Sequence, residues 1–179
     1  MTETTAIERA RTLFLDARNI HGCAETAYLV LCEAYGVGEP DDSTPAMALN
    51  GGVAYSGGPC GAITGAALAL GLLAGRRIDD HRQAKRASRE LTAELMDLMR
   101  AEHGATDCRD LIGIDLRAPG GHEQFLRSGV WQDRCMRQIE TAVRYGVPLA
   151  DVGAWEAAVA RVGAGGGPAT ASGDAGATR

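Results

Sequence analysis

The sequence predicts an all-α fold: a compact helical bundle of about five helices, with a Gly-rich loop before the third. Three observations predict it. Only 4 % of the 179 residues are aromatic, and strands favour aromatic and β-branched side chains, so the core falls to Ala, Leu, Ile, Val and Met. Apolar residues return at helical spacing in successive stretches. Gly, Pro and short polar residues fall between those stretches, where helices start and stop.

The first helix is expected over 3–18, with Ile7, Ala10, Phe14 and Ala17 on one face, and is interrupted from Asn19. The second runs from about Gly22 to Tyr35 on Ala24, Ala27, Leu31 and Ala34, and Gly36, Gly38 and Pro40 stop it. Cys23 then falls in a first turn, and Cys32 deep in the helix as a small core residue. Residues 41–50 suit a short helix capped by Ser43 or Thr44, with Pro45 in its first turn.

Residues 51–58, mostly Gly, Ser or Ala, are costly to order unless something must approach closely. Pro59 suits the first turn of the third helix, which puts Cys60 in that turn too. Gly61 and Gly65, with Ala62, Ala66 and Ala69, leave one helix face nearly bare for another backbone or a compact ligand. Arg76 and Arg77 sit at the negative end of that helix.

Asp79 or Asp80 caps a fourth helix reaching about Glu102, with a buried stripe of Ala84, Ala87, Leu91, Leu95 and Leu98, closed by Gly104. Thr106-Asp107-Cys108 reads as a cap with another first-turn cysteine, opening the segment CRDLIG. After a loop over 115–123, a fifth helix is expected from about Gln124 or Ser128 to Tyr145, carrying Trp131, Cys135, Ile139 and Ala142. A final amphipathic piece covers 149–162. Residues 1–162 thus form one helical domain, and 163–179 a disordered Gly/Ala-rich tail.

A net charge of −5 argues against nucleic acid as a partner. The longest apolar stretch, Ala66 to Ala74, is too short to span a bilayer, so no membrane role is expected. The N-terminus has no basic start followed by an apolar run, and a cytoplasmic protein is expected. Structural disulfides are rare there, so five cysteines call for another role. None forms a CxxC pair, and a zinc finger is disfavoured.

Three of the five, Cys23, Cys60 and Cys108, are expected to open helices, where free N–H groups and the helix dipole lower a thiol's pKa. Cys60 and Cys23 are therefore the candidate nucleophiles. His21, two residues before Cys23, is a candidate base or further ligand. Gly57, Gly58 and Gly61 are candidates for supplying backbone N–H groups to sulfur.

The run GGPCGAITGAALALGLLAG resembles the redox-active protein family named for its spaced cysteine boxes, C-GCAxxG-C-C. GCAETA around Cys23, ATDCRDLIGIDL around Cys108 and RCMRQIETAV around Cys135 are similar to its other boxes, in the same order. The similarity covers about 11 to 146. It implies a helical domain in which Cys23, Cys60, Cys108 and Cys135 act together, in redox chemistry or as ligands of an iron–sulfur cluster or another transition metal. The chain departs from the family in having His21 and Glu25 flanking the first box and Cys32 as an extra, and it has no CxxCH haem motif.

Three functions stay open on the sequence. The four cysteines hold a metal or cluster; or they perform metal-free thiol–disulfide, persulfide or sulfur-transfer chemistry; or they are core residues of a non-catalytic interaction domain. The expected partner is a small-molecule substrate or an electron-transfer partner. The alanine–glycine face allows a homodimer on symmetry grounds.

Overall fold

The structure, a computed structural model, describes residues 1–164. It is all-α. The helices are α1 (Glu3–Phe14), α2 (Cys23–Tyr35), α3 (Gly61–Arg77), α4 (His81–His103), α5 (Cys108–Ile112), α6 (Gly121–Ser128), α7 (Met136–Gly146) and α8 (Val152–Ala164). Tight 3-10 turns lie at Thr44–Leu49 and Val147–Ala150, and a wider π-helical turn at Trp131–Cys135. None of these helices is long and apolar enough to cross a membrane.

Helix α2 is the axis of the bundle. Its residues 24–32 are all buried, as suits a helix packed on every side. Helix α3 lies closest, because Gly65 meets the backbone of Ala24 and a Cβ there would overlap the Ala24 carbonyl oxygen. Ala6, Ala10 and Phe14 bring α1 onto the same core, and Ile139, Ala142 and Val143 bring α7. A second apolar cluster, with Leu70, Leu73, Leu91 and Trp155, joins α3, α4 and α8. Arg77 stacks its guanidinium over Trp155 at 5.5 Å and donates to the Leu149 carbonyl at 2.9 Å, closing that end.

Several expected boundaries are corrected. Helix α1 stops at Phe14 rather than continuing to 18, because the Asp16 carboxylate accepts the Arg18 N–H at 2.7 Å and competes with the helical backbone. Pro59 and Cys60 are not inside the first turn of α3. Pro59 forms an isolated antiparallel bridge with Asp107, and Cys60 is the N-cap. The α4 stripe ends on buried Met99 instead of Leu98, keeping the i, i+4 run from Leu91 and Leu95.

The expected fifth helix is two helices. Gly129, at φ +70, ends α6, and the π-helical turn restarts the chain toward α7. The expected loop 115–123 already contains the start of α6. Helix α8 runs to Ala164, into the first residues of the expected tail, and the rest of that tail lies outside the described residues.

Candidate functional site

Four elements bring four cysteines to one place. Cys23 opens α2, Cys60 caps α3, Cys108 opens α5, and Cys135 ends the π-helical turn before α7. They lie within electrostatic reach of one another: Cys23, Cys60 and Cys108 all act on Cys135, and Cys23 and Cys108 act on Cys60. Cys32 sits apart, against Tyr28 and Gly38.

The alignment is built from backbone. The Cys60 N–H donates to the Thr106 carbonyl at 2.8 Å, the Cys108 N–H to Gly58 at 2.7 Å and the Arg109 N–H to Gly57 at 3.0 Å. This short ladder pins the start of α5 beside the start of α3, so Gly57 and Gly58 position Cys108 through their carbonyls. Their own N–H groups donate within the loop, to Gly51 and Gly52 at 3.1 and 3.2 Å. The expectation that Gly57 and Gly58 offer N–H groups to sulfur is thereby corrected. The N–H groups facing the Cys23 sulfur belong to Gly51, Ala24, Cys23 itself and Gly61, while those of Ala62 and Ile63 face Cys60.

The loop that delivers Gly51 is strained. Residues 51–55 all have positive φ, including Val53 at +61, Ala54 at +50 and Tyr55 at +60. A left-handed turn costs non-glycine residues about 1–2 kcal/mol each. The turn is held by backbone bonds, among them Ala54 N–H to the Ala48 carbonyl at 2.7 Å.

A buried polar knot lies beneath Cys23. Gly22 has no side chain to cap α2, and Asn50 does it instead, accepting the Ala24 N–H at 2.9 Å. A Cβ on Gly22 would overlap that amide. Asn50 in turn donates to Glu25 at 2.8 Å, and Glu25 also accepts from the Gly22 N–H and the Ser43 hydroxyl, each at 2.9 Å. The Cys23 thiol donates to Asn50 at 3.9 Å. On the far side, Cys60 donates to buried Gln138 at 3.5 Å.

Burial decides the protonation of the cluster. It pushes the Cys23 and Cys60 thiols up, Cys108 up to about 12 and Cys135 higher still, and neighbouring thiolates add to the rise for Cys60, Cys108 and Cys135. The expectation of low-pKa cysteines at helix starts is overturned, because desolvation outweighs the N–H groups and the dipole. Three buried thiols and the half-buried Cys23, which would repel one another as thiolates, are a donor set that suits a cation. Among the described residues, no group of three or more His, Cys, Asp or Glu side chains already stands at metal-holding spacing.

Cys23, Cys108 and Cys135 also face a cavity of about 150 Å³. His21 is half-buried before α2 and is not one of the cavity residues. Sequence reasoning missed Asn50 and Gln138 as partners of the cluster. Glu25 carried a usable signal, three residues after the Gly22 cap, where an acid reaches back to the cap N–H. Asn50 and Gln138 carried none, since their partners are remote in sequence.

A family model described as "Putative redox-active protein (C_GCAxxG_C_C)" matches residues 21–147. That span holds all four cysteines and the loop between α2 and α3. No curated protein and no solved structure matches the chain significantly.

Proposed function

The chain belongs to the C_GCAxxG_C_C family of redox-active proteins, and from that premise we propose that Cys23, Cys60, Cys108 and Cys135 form a sulfur-ligated redox centre holding a transition metal or an iron–sulfur cluster. The observation carrying this is the gathering of four thiols from four separate elements into one buried place, while Cys32 stays outside it. Four thiolates suit a tetrahedral metal or a cluster, and such a group would supply electron transfer.

The chain's own part is to bind, orient and exclude water. Ligation would take the place of the four thiol protons, with the cation's charge offsetting the thiolate charges that burial otherwise disfavours. N–H groups of Gly51, Ala24 and Gly61 on the Cys23 sulfur, and of Ala62 and Ile63 on Cys60, offset ligand charge and set the potential. Gln138 holds the Cys60 proton in the metal-free state.

The test is anaerobic purification followed by the visible spectrum and iron, zinc and sulfide analysis. A stoichiometric metal, lost together with thermal stability on chelation, supports the centre; full redox activity without metal ends it.

One observation favours a second reading, metal-free dithiol chemistry: Cys23 is the half-buried member of the cluster and faces the cavity. Its thiolate would attack a substrate disulfide, forming a mixed disulfide and expelling one thiolate. A neighbouring cluster thiolate would then attack Cys23 and release the second, leaving a protein disulfide and two electrons on the substrate. Loss of two titratable thiols on treatment with a small disulfide, in colourless protein, would select this reading.

A further inference from the structure

We infer that the cavity over Cys23, Cys108 and Cys135 binds a compact, uncharged ring compound, which is the substrate class of the centre. Calling that compound the substrate rests on the redox function proposed above; its binding does not.

Size comes first. The cavity measures about 150 Å³, roughly the volume in which a protein cavity accommodates benzene, and its lining mixes aromatic side chains with the polar Asn19, Glu25, Asn50 and His122. Its walls suit a ring. Phe14 and Trp131 meet edge to face at 5.8 Å, and Phe125 and Leu116 stand beside them. Aromatic walls reward a ring that can repeat the same edge-to-face geometry.

Charge comes second. Among the described residues, no Lys or Arg lines the cavity, so an anion would meet the Glu25 carboxylate and the sulfurs with no fixed positive charge to offset them. Glu25 already accepts three hydrogen bonds, which leaves little for an ammonium. An uncharged molecule avoids both penalties. Asn19 and His122 can hydrogen-bond one hydroxyl or carbonyl on the ring.

Exposure is the third observation. Ile20, Tyr55 and Leu126 are 52 %, 45 % and 39 % exposed, and they come from three separate segments to line the same cavity. His122 joins them, 5.3 Å from Tyr55 and 6.3 Å from Phe125 between ring centroids. Large exposed apolar side chains gathered at a cavity that holds a reactive group mark a binding site rather than scattered surface.

The test uses the full chain, purified anaerobically, with phenol, benzoate and benzylammonium as matched probes. In a Trp155→Phe variant, Trp131 is the remaining tryptophan and reports on the cavity. Phenol should change its fluorescence saturably, and benzoate and benzylammonium should not. Should that variant fold poorly, the wild type carries the same test through alkylation of Cys23 by N-ethylmaleimide, read by mass spectrometry. Phenol at ten times its Kd should slow that reaction about tenfold, and Phe125→Ala should weaken phenol binding about tenfold.

No saturable effect of phenol, equal effects of the charged probes, or loss of phenol binding on metal loading would overturn the assignment. Metal and thiol analysis of the same samples tests the redox function separately. Phenol binding to protein with neither metal nor an oxidisable thiol pair would support the cavity assignment and remove the redox centre.

Discussion

The sulfur of Cys23 lies against the α-carbon of Gly61, so closely that a β-carbon on Gly61 would overlap it. The backbone nitrogen of Ala24 stands 3.0 Å from the same point. The first residue of α2 and the first of α3 are thereby locked together, and the lock sits at the candidate centre.

Gly61→Ala should therefore displace the Cys23 sulfur and cost about 1–3 kcal/mol. Gly65→Ala should cost at least as much, since its Cβ meets a backbone carbonyl that cannot swing aside. Gly75 lies in the same helix with open space around it, and Gly75→Ala should stabilise by up to about 1 kcal/mol through helix propensity. Denaturant unfolding of the three variants checks this. Equal effects at all three positions would remove the close-packing explanation.

The left-handed turn should respond to glycine. Val53 is a β-branched residue at φ +61, and Val53→Gly should stabilise by about 1 kcal/mol, the strain relieved less the entropy that glycine loses. A lower urea midpoint for this variant would contradict the strain.

Removing the Glu25 carboxylate should be costly. Glu25→Ala leaves the Gly22 N–H, the Ser43 hydroxyl and the Asn50 amide short of a buried partner, a loss of at least about 2 kcal/mol. Glu25→Gln should lose less, keeping the shape and one acceptor. Thermal melts of both variants, with alkylation rates at Cys23, separate lost stability from a displaced sulfur.

Stability should fall as pH drops from neutrality. Burial holds the His103 pKa below its ordinary 6.5, so its neutral form is favoured by folding, and that contribution is lost as pH falls below 6.5. At lower pH, Glu94, held down by Arg161, and Glu102, held down by the Thr141 hydroxyl, each lose a contribution as pH falls below the ordinary 4.5. His103→Gln should flatten the upper part of the profile and leave the lower part. Urea titrations between pH 7.5 and 4, on the order of one pH unit apart, check the sign.

Cys32 is the internal control. It lies with Tyr28, and burial holds its thiol up at about 11. Cys32→Ala should cost no more than about 1–2 kcal/mol and leave metal content and thiol reactivity unchanged. Cys108→Ala should abolish the bound metal or the oxidisable pair. Identical outcomes for the two would dissolve the distinction between cluster and core.

The sequence by itself determined the helical class, most helix starts, the bare face of α3 and the family, because each is written in local spacing: apolar period, capping residue, glycine, cysteine box. Local spacing also located three cysteines at or next to helix starts. The tertiary structure alone decided what that placement means. Packing α2 against α3 buries the thiols, and desolvation then reverses the protonation that a helix start by itself would favour. Asn50 capping α2 and Gln138 facing Cys60 come from distant stretches of chain, as do Ile20, Tyr55 and Leu126 in the cavity lining. Such partners meet only after folding, so no local pattern in the chain announces them.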